Sequence, residues 1–179
     1  MNALTVTPVD GGHLAALSKF IEHISAGDRT FFRNDLLADG VVAAWINKPT
    51  GVYYVAEDGG QIAGLLVLEP GIAWSSHVGD VRIVVAPEFR RRGIGRRLAR
   101  QALLAGVELG LDKLVVQVAA ADEATISMFV DLAFEPEALF RSHVRDDAGV
   151  THDLLVLAHF VDTTRAAVAA IGMAEAVRT

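Results

Sequence analysis

The sequence predicts one α/β (α+β) domain with a mixed central sheet flanked by helices. Two observations carry this. Short apolar runs with strand-like alternation recur between longer segments with helical stripes. No repeat, low-complexity segment or linker interrupts the 179 residues, a length that suits one domain. A third feature, residues 81–98 (VRIVVAPEFRRRGIGRRL), joins a strand, a basic turn and a helix start. The rest of the chain is read around it.

Residues 4–9 alternate and form a first strand. Asp10 caps a helix over residues 11–25, with Leu14, Leu17, Ile21 and Ile24 as a core stripe. Gly27-Asp28 breaks the pattern, and residues 28–46 follow as one or two helices around Asp39-Gly40. Their Phe31, Phe32 and Trp45 pack a core, or Phe31 and Phe32 with Arg33 wall an acceptor pocket. Lys48-Pro49-Thr50-Gly51 is a turn. Residues 52–57 and 61–68 make a hairpin about Asp58-Gly59-Gly60. The second of these strands is apolar on both faces and therefore central. Glu69-Pro70-Gly71 ends it, and residues 72–76 are a loop or a short strand end. Residues 77–86 are the fourth strand. Residues 93–109 are a helix that buries Ile94, Leu98, Ala102, Ala105 and Leu109 and stops at Gly110. Residues 113–119 are a fifth strand. Asp122 caps residues 123–132, with Ile126, Phe129 and Val130 inward, and residues 133–136 close that helix. Residues 139–145 and 150–157 form a C-terminal hairpin about residues 146–149. Asp162 caps a last helix, 163–177, with Val168, Ile171 and Val177 on one side, laid on the surface or used as a homodimer contact. The domain spans residues 3–160, and residues 161–179 are a C-terminal helix and tail.

Composition narrows the function. Hydrophobic residues make up 52% and charged residues 21%, as in folded soluble domains. The absence of cysteine excludes disulfides, thiolate metal sites and a cysteine nucleophile, and fits a reducing compartment. No metal centre is expected. The N-terminus lacks the basic start and apolar core of a secretion signal, and no apolar run approaches the ~20 residues of a membrane span. A cytoplasmic protein without membrane contact is expected. The net charge of −6 argues against a nucleic-acid binder. Yet Arg90, Arg91, Arg92, Arg96, Arg97 and Arg100 crowd one stretch, a pattern suited to a small polyanion.

Within residues 81–98 the apolar run stops at Pro87, Arg90-Arg91-Arg92 turns the chain, and Gly93-Ile94-Gly95 opens the helix. A helix N-terminus offers unpaired amides and the positive end of a dipole, and glycine lets a ligand approach the backbone. These features point to a phosphate-bearing ligand. The dinucleotide fingerprint fails, since Leu98 stands where a third glycine is needed. The nucleoside-triphosphate loop fails for want of Gly-Lys-Ser/Thr. Coenzyme A is the third ligand class that could use the stretch.

The segment closely resembles the acyl-CoA signature of the GNAT N-acetyltransferase superfamily, Arg/Gln-x-x-Gly-x-Gly/Ala, which Arg90-Arg91-Arg92-Gly93-Ile94-Gly95 matches after Val85-Ala86-Pro87. Residues 122–134 resemble the family's Asn-x-x-Ala-hydrophobic-x-x-Tyr…Gly-Phe segment, and the order of elements is similar over residues 3–160. The resemblance implies a mostly antiparallel sheet with splayed fourth and fifth strands. It implies an enzyme that passes the acetyl group of acetyl-CoA to an amine by direct attack. It assigns the pyrophosphate to main-chain donors of Arg91, Arg92, Gly93, Gly95 and Arg96, in one turn with Arg90 and Ile94. It assigns the pantetheine arm to the backbone of Ile83, Val84 and Val85, and adds Asp122 and Phe129 from the downstream segment. The alternatives are that Gly93 and Gly95 serve only a tight turn, and that Arg96, Arg97 and Arg100 are a solvated helix face. Three departures stand out. Arg91 occupies a position where the family often has glycine. Asp122 replaces asparagine and brings a negative charge, or simply caps a helix. Phe129 replaces the tyrosine that commonly protonates the leaving thiolate, so that proton must come from water or another residue.

Direct attack also needs a base, worth roughly 10²–10⁴-fold. Asp80 at the mouth of the fourth strand, His77 three residues earlier and Glu69 at the end of the third strand are the candidates. Capping or a solvated strand end is the alternative role for Asp80. His143 and His152 lie on the C-terminal hairpin and face the pocket or solvent. Tyr53 and Tyr54, one on each sheet face, are candidates for the missing acid. The acceptor region offers Arg29, Arg33, Asp35, Trp74, Arg141 and Arg145, and arginines there would suit an acceptor with a carboxylate, such as an amino acid. A protein lysine or N-terminus as acceptor stays open, as does a module that holds acyl-CoA without turnover.

Overall fold

Seven strands form one sheet: β1 (Thr5–Pro8), β2 (Val52–Asp58), β3 (Gln61–Pro70), β4 (Val78–Val85), β5 (Lys113–Ala119), β6 (Glu135–Arg145) and β7 (Thr151–Phe160). Their spatial order is β1-β2-β3-β4-β5-β7-β6. All neighbours pair antiparallel except β4 and β5, which run parallel. The helices are α1 (Leu14–His23), α2 (Ala26–Arg29), α3 (Val41–Asn47), α4 (Ile94–Glu108), α5 (Glu123–Val130) and α6 (Val161–Ala176). This computed structural model describes residues 4–29, 36–38, 40–47, 49–146 and 148–176, with residues 171–176 as backbone. The expectations placed on Phe31, Phe32, Arg33, Asp35, Asp39, Lys48, Asp147, Val177 and the Ile171 side chain lie outside the described residues.

Alternation along the strands sends side chains to two faces, and each face has its own core. On one face Leu66, Leu68, Val81 and Val116 meet Ile94, Leu98, Ala102 and Ala105 of α4 and Phe129 of α5. On the other, Tyr53, Val55, Leu65, Val67 and Val84 meet Leu17, Phe20 and Ile21 of α1 and Val42 and Trp45 of α3. Tyr54 packs on the α4 side, opposite Tyr53, as period-two geometry requires. Residues 62–68 of β3 are buried throughout, because this strand is covered on both faces. A Cβ at Gly64 would lie 2.9 Å from Leu98 Cδ1 and 3.2 Å from Ile94 Cγ2, so α4 rests directly on the sheet there.

Several side chains expected inside lie outside. Leu14, Leu109 and Val130 are 41%, 40% and 48% exposed. The first helix opens as a 3₁₀ turn, Gly11–His13, in which the Asp10 carboxylate accepts from the Gly12 amide at 2.8 Å. Leu14 is therefore the first residue of α1, and Phe20 joins the buried stripe instead. Leu109 is the C-cap of α4, followed by Gly110 at φ +67°, and Leu111 makes the closing contact with the core. At the end of α5 the inward space is taken by Phe129 and Phe134. The C-terminal hairpin is longer than expected, because β6 already starts at Glu135 and β7 runs to Phe160, directly before α6. Among the described residues no helix is long and apolar enough to cross a membrane, and no side-chain group of His, Cys, Asp and Glu is arranged to hold a metal ion.

Candidate active site

β4 and β5 pair only from Val78↔Lys113 to Val81↔Val116. Beyond that point residues 82–85 keep their partners in β3, and residues 117–119 keep theirs in β7. The sheet is held on both sides and open in the middle. A cleft of about 550 Å³ fills the opening. Backbone groups that would have joined the two strands are left facing this cleft, ready to pair with an extended ligand bearing amides.

The turn after β4 forms one end of the cleft, with Arg90, Arg91, Gly93, Gly95 and Arg96 lining it. Pro87 starts a 3₁₀ turn, Pro87–Phe89, which stops the strand. Gly93 is the N-cap of α4 at φ +79°, a left-handed conformation suited to glycine, and no side chain caps the helix. The first amides of α4 are thus available to an anion. Gly95 differs. A Cβ there would meet Met128 Sδ at 3.5 Å and Val85 Cγ2 at 3.8 Å, ordinary contacts. The fold has room for alanine, and glycine inside a helix costs about 0.5–1 kcal/mol relative to it. The turn requires glycine at Gly93; packing does not require it at Gly95, which lines the cleft.

Arg90, Arg92, Arg96 and Arg97 have polar partners, whereas Arg91 and Arg100 are exposed with none among the described residues. Arg90 donates to both carboxylate oxygens of Asp28, at 2.7 and 2.8 Å, and through Nε to the Val85 carbonyl at 3.1 Å. Arg96 reaches Asp131 at 2.5 Å, and Arg97 the Leu4 carbonyl at 2.8 Å. Arg92 turns away from the cleft to Asp58, at 2.7 Å, and passes over the Phe89 ring. Ile94 points into the core. Arg92 and Ile94 can therefore serve a ligand only through their main chain. Arg91 lines the cleft at φ +59°, left-handed for a residue with a Cβ, at a cost of order 1–3 kcal/mol.

α5 forms the opposite wall with Asp122, Thr125, Met128 and Phe129. Asp122 is a helix cap: its carboxylate accepts from the Thr125 amide at 3.1 Å and from Thr125 Oγ1 at 2.6 Å. Phe129 is 2% exposed and packs edge-on against Phe134, with ring centroids 5.1 Å apart. It supplies no proton.

Glu69 and Asp80 are direct cross-strand partners on the face covered by α1 and α3. Asp80 lies one residue before the last β4–β5 pair. Its Oδ2 accepts from Arg82 Nη2 at 2.6 Å, and Arg82, only 8% exposed, lines the cleft. Glu69 Oε1 accepts from Thr50 Oγ1 at 2.7 Å and from the Tyr53 hydroxyl at 2.8 Å. Trp45 stacks on Tyr53 at 4.9 Å. Burial, with Glu69 alongside, pushes the Tyr53 phenol up to about 12 from the usual 10.0. A phenol raised on folding adds stability that is complete below about pH 10 and lost as pH rises towards 12. The urea midpoint of the protein should therefore fall more between about pH 9 and about pH 11.5 than that of Tyr53→Phe. Parallel falls in the two proteins would show that Tyr53 titrates normally.

The other candidates are scattered. His77 is exposed in the turn just before β4, outside the strand expected to begin with it, and its carbonyl accepts from the amides of Asp112 and Lys113 on the paired side of the split. Its ring does not line the cleft. The His143 ring packs on Phe140 at 4.9 Å, and His152 binds Asp146 at 2.7 Å. Trp74 is 91% exposed in the connection from β3 to β4. Arg29 donates to the carbonyls of Ile21 and Ile24, and Arg141 and Arg145 lie exposed on β6. Among the cleft residues that were not foreseen are Asp28, Arg82, Gln117 and Met128. Gln117 carried a signal, a polar residue inside the apolar run of β5. Asp28 carried none, since its partner Arg90 is 62 positions away.

Residues 19–134 match the model of the acetyltransferase (GNAT) family. Many solved structures share the fold. yncA from Salmonella typhimurium, solved with its cofactor acetyl-CoA, aligns with a TM-score of 0.75 at 18% identity, covering 89% of this chain and 95% of its own. The ribosomal-protein-alanine N-acetyltransferase from Brucella melitensis aligns at 0.73 and 22% identity, over 88% and 99% of the two chains. Mutant forms of the spermidine/spermine N-acetyltransferase SpeG from Vibrio cholerae align at 0.71 and 19% identity, over 89% and 96%. No curated protein sequence matches the chain.

Proposed function

Since the chain belongs to the acetyltransferase (GNAT) family and is an acyl-CoA-dependent N-acetyltransferase, we propose that it acetylates the free amine of a small molecule, such as an amino acid, by direct attack on acetyl-CoA. One observation carries this reading: β4 and β5 part just past Val81↔Val116, with the uncapped start of α4 at one end of the gap and the Glu69–Asp80 pair beside the other. The amides of residues 91–96 would hold the pyrophosphate, and the free edge of Ile83, Val84 and Val85 the pantetheine arm. The amine approaches from the α1 and α3 side. Asp80 is our candidate for the base that takes its proton, directly or through water, with Glu69 second and His77 a distant third. Two neighbouring carboxylates also suit an incoming ammonium group. The amine nitrogen bonds to the carbonyl carbon, the carbon–sulfur bond breaks, and the thiolate takes a proton from water, since Phe129 has none to give.

The test is an acceptor screen with acetyl-CoA at several pH values, following free thiol release with amino acids, polyamines and lysine-bearing peptides. Release with at least one small amine is expected. Release with peptides alone would shift the acceptor to proteins. Binding of acetyl-CoA without release for any amine would overturn the proposal.

A further inference from the structure

Resting on the acyl-CoA reading above, we infer that Arg91 is the residue by which this chain recognises the ribose 3′-phosphate of coenzyme A and so distinguishes it from the dephosphorylated form. The other arginines around the cleft are committed: Arg82 to Asp80, Arg90 to Asp28 and Arg96 to Asp131. Arg91 also lines the cleft and is exposed. Among the described residues no hydrogen bond or ion pair holds its guanidinium. Of the acids that line the cleft, Asp28 is paired with Arg90 and Asp122 accepts from Thr125, and among the described residues neither forms an ion pair with Arg91.

The backbone makes the presence of an arginine here informative. At φ +59° a glycine would sit without strain, whereas any side chain works against the fold. An arginine that strains its own backbone and has no partner among the described residues, at the rim of an anion-binding cleft, is accounted for by a contact with ligand. The pyrophosphate does not require that contact, since the amides of the turn and of the uncapped α4 start serve it. An exposed side chain at the rim reaches outward, to the anion farthest from the thioester. In coenzyme A that is the ribose phosphate, whose geometry suits a forked guanidinium.

The experiment uses the full chain, with calorimetric affinities for coenzyme A and dephospho-coenzyme A at low and moderate salt, and thermal melts without ligand. The natural protein should prefer coenzyme A by about tenfold or more. Arg91→Gly should bring the two ligands within about twofold, by weakening coenzyme A far more than dephospho-coenzyme A, and raise Tm, while Arg91→Lys should keep part of the preference. An intact preference in Arg91→Gly would overturn the inference, and so would an equal loss for both ligands, which would move Arg91 to the pyrophosphate. Neither result would touch the acyl-CoA reading. If the natural protein bound neither ligand, that reading would fail and this inference with it.

Discussion

Gly95→Ala should raise the KM for acetyl-CoA by about tenfold or more, while leaving the protein at least as stable as before. The two halves of this expectation have separate causes. The added methyl meets Met128 and Val85 at ordinary distances, so the fold accepts it. Alanine also removes the conformational cost of a glycine inside α4, a gain of up to about 0.5–1 kcal/mol. Yet Gly95 lines the cleft within the first turn of the uncapped helix start, where a bound phosphate would come close to the backbone. Gly95→Leu should abolish binding outright. Thermal melts and calorimetric affinities of the two variants separate ligand space from turn geometry. A destabilised Gly95→Ala that still binds acetyl-CoA normally would mean that the glycine serves the turn.

Asp80→Asn should lower kcat/KM at least about tenfold with acetyl-CoA affinity unchanged. Asparagine keeps an oxygen that can accept from Arg82, so the strand geometry survives, but it cannot take a proton from the attacking amine. The loss should fall on kcat, and the pH–rate profile should lose its acidic limb. An unchanged profile would remove Asp80 from the mechanism. Glu69→Gln is then the next variant to measure, because Glu69 faces Asp80 across the β3–β4 ladder. Its Oε1 already receives hydrogen bonds from Thr50 and Tyr53.

Sequence and structure agree best where the chemistry is contiguous. The strand stop at Pro87, the left-handed glycine at Gly93 and the Asp122 cap are each set by residues within a few positions of one another, and all three were legible. Helical stripes were legible in their middle and wrong at their ends. Leu14, Leu109 and Val130 all sit at helix ends, where a 3₁₀ turn, a C-cap or a neighbouring aromatic decides which way a side chain points. The basic cluster was legible as a cluster, but its internal division was not. Arg92 and Arg96 are separated by who stands opposite them, Asp58 on one side and Asp131 on the other.

Taken by itself, then, the sequence determined the order of the elements and the local part of the site. Residues 81–98 carry their strand, turn, glycines and helix start in one continuous stretch, and amide donors and backbone conformation depend on near neighbours. Only the tertiary structure decided that Glu69 and Asp80 face each other across β3 and β4, which cleft arginine has no partner among the described residues, and that Tyr53 and Thr50 hold Glu69. Those relations come from strand register and from helices laid across the sheet. They join residues such as Asp28 and Arg90, 62 positions apart, whose meeting is set by the packing of the whole domain rather than by any pattern in the chain around them.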